Sequence, residues 1–309
     1  MRRFISRADN FRSLSFKMPE LTDREKDFEE KVIEAGKWIT VEFLQNLLSV
    51  NEKSDKIKVI EKNVTPAVGL GNNYLSTLHR VVVKFCENGT GSKEKNLIIK
   101  QFPRAQVAHK FLNELSLFDK EIFIYTDILP KLNEIFKEFS EEPYVAPISY
   151  PCSLENILIM EDLKVQGYKI MDRRQQLSYE HCVEALKTLA RLQVLSLMLE
   201  KRCPGAIGSV TSDFYTEKSR EHMEPFMHQM CPIIGEECGE IPELKKFSQT
   251  VIDFGPNGFD ILISVFEKAT KDFLQVLCHG DMWLTNIMYK HDEKDRVEHA
   301  KFVDFQLCR

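Results

Sequence analysis

Long apolar runs are missing from this chain. The longest uncharged apolar stretch beside a helical segment covers residues 194–199, far below the ~18 residues that a membrane span needs. No two of the eight cysteines, at 86, 152, 182, 203, 231, 238, 278 and 308, have CxxC spacing, so a zinc site has no support. A signal-type apolar segment is lacking too, and the expectation is reduced thiols in the cytoplasm. There is no basic excess: Lys and Arg number 42 against 47 Asp and Glu, a net charge of −5. Nucleic acid is therefore not an expected partner. Repeats and low-complexity tracts are also absent. What is present is an ordinary globular balance, 309 residues at 43% hydrophobic and 29% charged. That balance excludes a wholly disordered or collagen-like chain. The length suits two domains and a core that needs no disulfides.

Residues 1–17 carry Arg2, Arg3, Arg7, Arg12 and Lys17 against the single acid Asp9. This is the composition of a mitochondrial transit peptide. Its short apolar face favours the plainer reading, a disordered basic extension over residues 1–18.

The patterning then divides the chain. Residues 19–50 have helical period, with Thr40 as an N-cap. Strands are expected over residues 57–64, 80–85 and 96–100, with a Gly-bearing loop at 66–76 and a polar turn at 87–95. Residues 105–139 read as one long helix interrupted by Pro130, and strands follow near 144–149 and 156–161. Beyond Asp162 helices dominate. One runs from a Ser178 cap to about Leu199, with Val183, Leu186, Ala190, Val194 and Leu197 on its apolar face. More helix fills 213–272, and short strands are expected at 274–278, 287–290 and 300–305. The fold class is α+β. The expected division is a basic extension (1–18), a sheet-rich nucleotide-binding half (19–162) and a helix-rich catalytic half (163–309).

The string from Leu277 to Met288, LCHGDMWLTNIM, carries the chemistry. Phosphoryl transfer needs a carboxylate to accept a hydroxyl proton and Mg²⁺ to neutralise the phosphates. Asp281, followed five positions later by Asn286, supplies the base and a metal ligand from one loop. Asp304 lies 23 positions beyond Asp281, across a strand–turn–strand, and supplies a second hard oxygen ligand. His279 belongs to the same catalytic loop and orients it through hydrogen bonds. Gly69 and Gly71 let a hairpin backbone approach phosphates, with Ser76 and Tyr74 as candidate contacts. Lys100 ends a Leu-Ile-Ile strand and suits a phosphate clamp. Its carboxylate partner is Glu114 or Glu121, seven apart on one helical face, which spacing does not separate. Backbone groups of Glu161 and Leu163, at the end of a strand, are placed to meet adenine.

These motifs resemble those of the ecdysteroid kinase-like family, within the choline- and aminoglycoside-kinase-like phosphotransferases. The likeness lies in GNNYLSTLHRVVVKF (71–85), FDKEIFIYTDILPKL (118–132), ILIMEDLKVQGYK (157–169) and LCHGDMWLTNIM (277–288), with VDFQ after them. In order, they span about Trp38 to Gln306. The resemblance implies a bilobal protein-kinase-like fold, ATP and Mg²⁺ as cofactors, and phosphorylation of a hydroxyl on a small-molecule alcohol, steroid-like or otherwise lipophilic. It favours Glu121, through FxxExxxYxxxLP, as the partner of Lys100. The chain departs from protein kinases: it has no His-Arg-Asp, and Asp-Phe-Gln stands where they carry Asp-Phe-Gly. Members of the family continue past this motif, so a C-terminal lobe short of its last helices is expected here. Two alternatives follow, a catalytically impaired binding protein and a choline- or aminoglycoside-type kinase. Oligomeric state is not legible.

Overall fold

The computed structural model describes residues 22–69, 76–102, 116–139, 144–172, 174–208, 210, 216–272 and 274–309. It is an α+β structure with two antiparallel sheets. Helix α1 (Asp23–Ala35) and helix α2 (Val41–Asn51) come first. The Thr40 hydroxyl caps α2 by accepting from the Phe43 N–H at 3.1 Å, as its type and position predict.

The larger sheet has the order β1–β2–β3–β5–β4, built from β1 (Ile57–Pro66), β2 (Thr77–Glu87), β3 (Thr90–Gln101), β4 (Ser149–Tyr150) and β5 (Ile157–Glu161). Alternation along β3 divides its side chains between two faces. Leu97 and Ile99 join Val81, Val83, Leu44 and Leu48 in one core, while Ile98 and Lys100 face a cleft. The β2–β3 turn is tighter than the polar stretch 87–95 suggests. Glu87 pairs with Thr90, and Asn88 and Gly89 take φ values of 54° and 71°. This is the Asn-Gly two-residue hairpin, and β3 starts six residues before the expected position.

Helix α3 (Leu117–Phe123), a π turn (Ile124–Ile128) and α4 (Leu129–Lys137) form one continuous rod. Pro130 does not interrupt it: it follows the π turn in the first turn of α4, and the Tyr125 carbonyl, next in line for the N–H that proline lacks, accepts from the Ser149 hydroxyl. The region expected as a strand at 144–149 narrows to Ser149–Tyr150; Val145 and Ala146 are buried outside the sheet, with the Val145 carbonyl accepting from the Phe302 N–H at 2.8 Å.

The smaller sheet, β6–β7–β8, joins β6 (Tyr168–Ile170), which sequence patterning does not show, to β7 (Ile287–His291) and β8 (Val297–Phe302). Helix α5 (Tyr179–Arg202) is capped by Ser178 as expected. Its buried face is not the expected one, since Leu186 and Val194 are exposed. Ala185, Thr188, Leu192, Leu195, Ser196 and Leu199 are buried instead. Hydropathy undervalues this face because two of its members are hydroxyls with backbone partners. Thr188 donates to the Ala300 carbonyl at 3.3 Å, and the Leu277 N–H donates to Ser196 at 2.9 Å. Helices α6 (Arg220–Glu240), α7 (Ser248–Phe254) and α8 (Gly258–Asp272) follow. Residues 274–278 form no strand; their one ladder-like contact is the reciprocal backbone pair between Cys278 and Arg309. Among the described residues no helix is long and apolar enough to cross a membrane.

Candidate active site

A cleft of about 480 Å³ opens between the two sheets, within the ~300–1,000 Å³ range of small-molecule sites. Leu78 and Ile98 line it from the larger sheet and Met288 from the smaller one; Lys100, Glu121, Asn286 and Asp304 also line it.

Lys100 enters from β3 and Glu121 from α3. The Lys100 ammonium donates to both carboxylate oxygens of Glu121, at 2.8 and 2.7 Å, and to Asp304 Oδ1 at 3.1 Å. Lys100 is 6% exposed and Glu121 is fully buried, so water screens neither charge. Glu114 lies outside the described residues, and in the structure the partner of Lys100 is Glu121.

The loop before β7 supplies His279, Asp281 and Asn286. The Asn286 amide donates to the Asp281 carboxylate at 2.9 Å and to the Asp281 carbonyl at 3.1 Å. With its nitrogen engaged this way, Asn286 is left with its amide oxygen for the cleft it lines. Asp281 itself is not among the residues lining the cleft. His279 does not line the cleft either; it makes hydrogen bonds of the loop-orienting kind expected of it. It is 1% exposed, donates from Nε2 to the Val303 carbonyl at 3.0 Å and accepts at Nδ1 from the Asp281 N–H at 3.4 Å. Burial lowers its pKa, which favours the neutral ring. His279 is a positioning residue that ties the Asp281 loop to the strand end beside Asp304. Asp304 holds a left-handed backbone, φ 66° and ψ 68°; in a non-glycine residue that conformation requires support from its surroundings.

The electrostatics draw positive charge. Burial, reinforced by the Asp304 carboxylate and opposed by Lys100, pushes the Glu121 carboxyl up to about 7. Burial and then Asp304 also raise Asp281. Burial works against the Lys100 ammonium, but Glu121 and Asp304 outweigh it and its net shift is upward. Glu121 and Asp281 thus bind protons more tightly than they do in water, and a cation beside them relieves the same imbalance. Among the described residues no three His, Cys, Asp or Glu side chains form a metal cage. The carboxylate of Asp304 and the amide oxygen of Asn286 fit Mg²⁺ instead, a hard ion that retains waters and takes few protein ligands.

The remaining expected residues are placed as follows. Gly69 is exposed and is not part of the cleft wall, although its neighbours Ala67 and Val68 are. Gly71 and Tyr74 lie outside the described residues. Ser76 stands just before β2 and does not line the cleft. Leu163 and Glu161 both line it, but the Glu161 side chain serves another purpose. It accepts from the Ile148 N–H at 3.1 Å, from Gln166 at 2.7 Å and from Lys301 at 3.2 Å.

Lys301, on β8 and 5% exposed, thereby pins the smaller sheet to the end of β5. Sequence patterning shows no sign of this, because a lysine in a short strand reads as solvated. Lys301→Met is expected to lower unfolding stability in urea by about 3 kcal/mol, since it strands a largely buried carboxylate. Adding Glu161→Gln to it should recover much of that loss. Arg80 and Asp162 were also missed. Arg80 Nε donates to Asp162 at 2.6 Å across the cleft wall, and Asp162 is 2% exposed. The only signal was β2 alternation, which places Arg80 on the same face as Leu78.

No curated protein matches the chain. The model of the ecdysteroid kinase-like family matches residues 70–309, a span that holds Lys100, Glu121, the Asp281 loop and Asp304. On that match, and in keeping with its site, the chain belongs to the ecdysteroid kinase-like family.

Proposed function

We propose that this chain moves the γ-phosphoryl group of ATP to a hydroxyl of a small lipophilic acceptor of the steroid or ecdysteroid class. Family membership makes it a small-molecule kinase-like protein; the nucleotide, the metal and the acceptor are our reading. The observation that carries it is the convergence of Lys100, Glu121, Asn286 and Asp304 in one cleft, with Asp281 held by Asn286.

Lys100, aligned by Glu121, donates to the phosphate oxygens. Asp304 and Asn286 hold Mg²⁺, which neutralises charge on the phosphates during transfer. Asp281 accepts the proton of the acceptor hydroxyl as its oxygen bonds to the γ-phosphorus, and the bond to the β-phosphate oxygen breaks. Asn286 keeps the Asp281 carboxylate aimed, and His279 holds the loop. Backbone groups of Glu161 and Leu163 meet the adenine, while Leu78, Ile98 and Met288 enclose it. Positioning and preorganised charge supply most of the acceleration. In this reading residues 19–162 form the nucleotide lobe and 163–309 the catalytic lobe of a bilobal kinase-like fold. All eight cysteines are free thiols, in keeping with a cytoplasmic setting.

The test is a panel of hydroxylated sterols, choline and sugars incubated with the chain, ATP and Mg²⁺, read by mass spectrometry. The expected result is a gain of one phosphoryl group on a sterol. Transfer confined to choline or sugars would overturn the acceptor class, and no transfer to any member would overturn the transferase reading.

A further inference from the structure

Tyr125 is a polar group in the cleft that the mechanism above does not use. It is fully buried and lines the cleft beside Glu121 and Asp304. Its hydroxyl donates to no group among the described residues; the one polar group close to its oxygen is the Asp304 backbone N–H, which can only donate to it. A buried hydroxyl left unpaired destabilises the fold, and phenylalanine has the same shape without the penalty.

The local backbone adds a second observation. Tyr125 follows Glu121 by four residues, and the helix widens into a π turn there, with the Leu129 N–H donating to the Ile124 carbonyl. Such turns are rare and concentrate at functional sites. The ring meets Phe305 edge-on at 5.4 Å, and the backbone of the same residue is held by the Ser149 hydroxyl, which donates to its carbonyl. The electrostatic neighbours of the hydroxyl are the Glu121 and Asp304 carboxylates and the Asp304 backbone. The tyrosine therefore presents one donor beside the carboxylate that Lys100 also contacts.

We propose that Tyr125 is a positioning residue for Asp304. Its hydroxyl donates to the Asp304 carboxylate once Lys100 turns to phosphate and Asp304 turns to Mg²⁺. This rests on the nucleotide and metal reading above and extends it: one carboxylate serves two donors, Lys100 as the structure shows it and Tyr125 when nucleotide and metal are bound. Hydrogen bonds from outer groups to ligating carboxylates typically change metal affinity or activity ~10–100-fold.

The test is Tyr125→Phe, followed by thermal unfolding and by turnover against Mg²⁺ concentration. Without ligand, the midpoint of the variant should equal or exceed that of the wild type. The upward shift given by ADP with Mg²⁺ should shrink, while the shift given by ADP with chelator stays the same. The Mg²⁺ concentration for half-maximal turnover should rise ~10–100-fold. Equal Mg²⁺ response in variant and wild type would overturn the assignment. A lower ligand-free midpoint with loss of both ADP shifts would also overturn it, by showing a packing role. A wild type that fails to respond to ADP with Mg²⁺ would overturn the nucleotide reading and this one together. That outcome differs from a wild type and variant that respond alike.

Discussion

Asp281→Asn should bind ADP with Mg²⁺ as the wild type does and lose phosphoryl transfer by about a hundred- to ten-thousandfold, the range for removing a general base. The substitution is nearly silent in shape. The Asn286 amide donates to Asp281 Oδ2 at 2.9 Å and to its carbonyl at 3.1 Å. An asparagine carboxamide oxygen accepts the first bond as the carboxylate did, and the second is unaffected. The cleft walls include Lys100, Asn286 and Asp304 but not Asp281, so the nucleotide loses no contact. What disappears is the capacity to take a proton. Turnover by rapid quench and affinity by calorimetry separate the two effects, and unchanged turnover would contradict the assignment.

Gly280→Ala should damage both folding and turnover, with a loss of roughly 3 kcal/mol or more in urea unfolding. Gly280 has φ 81°, and a Cβ built there would lie 2.0 Å from the Leu307 carbonyl oxygen and 2.7 Å from its carbonyl carbon. Neither side yields easily. Cys278 and Arg309 exchange both backbone hydrogen bonds across this point, and the Cys308 N–H donates to the Phe305 carbonyl. Relief therefore moves either the Asp281 loop or the turn after Asp304. Gly91→Ala is the control. It has φ 61° and nothing within 4 Å of its Cβ, so it carries the backbone strain alone, about 1 kcal/mol. Equal stabilities of the two variants would show that the close approach of residues 280 and 307 does not matter.

These two residues also show how far the sequence can be read. The HGDxxxxN spacing singles out Asp281 and Asn286 as candidates because a base and a metal ligand can come from one short loop. Lys100 is legible only in the company of the other motifs, since a lone lysine at the end of a Leu-Ile-Ile strand reads as a solvated edge residue. Glu121 is not separable from Glu114 by period, since residues seven apart share a helix face; family likeness favoured it, and the geometry shows its contact with Lys100. The face of α5 was misread because Thr188 and Ser196 are buried through hydrogen bonds that a hydropathy pattern does not register. The start of β3 carries no signal because Ser92, Lys93 and Glu94 are exposed. A solvated strand carries no apolar signal, and only the Asn-Gly pair marks its turn. His279 is expected to orient the loop because it adjoins Asp281, and its ring bonds to the Val303 carbonyl and the Asp281 N–H are of that kind. The Glu161–Lys301 pair is a long-range contact and the burial of the Tyr125 hydroxyl is set by the tertiary fold; no local pattern encodes either.

The central claim is that Lys100, Asp304 and Asn286 hold one metal–nucleotide complex in the cleft between the sheets. Its most direct test is calorimetric titration of a non-hydrolysable ATP analogue into wild type and Asp304→Asn, with Mg²⁺ and with chelator. Mg²⁺ should tighten binding to the wild type by about tenfold or more and do little for the variant. Equal tightening in both proteins, or none in the wild type, would contradict the claim.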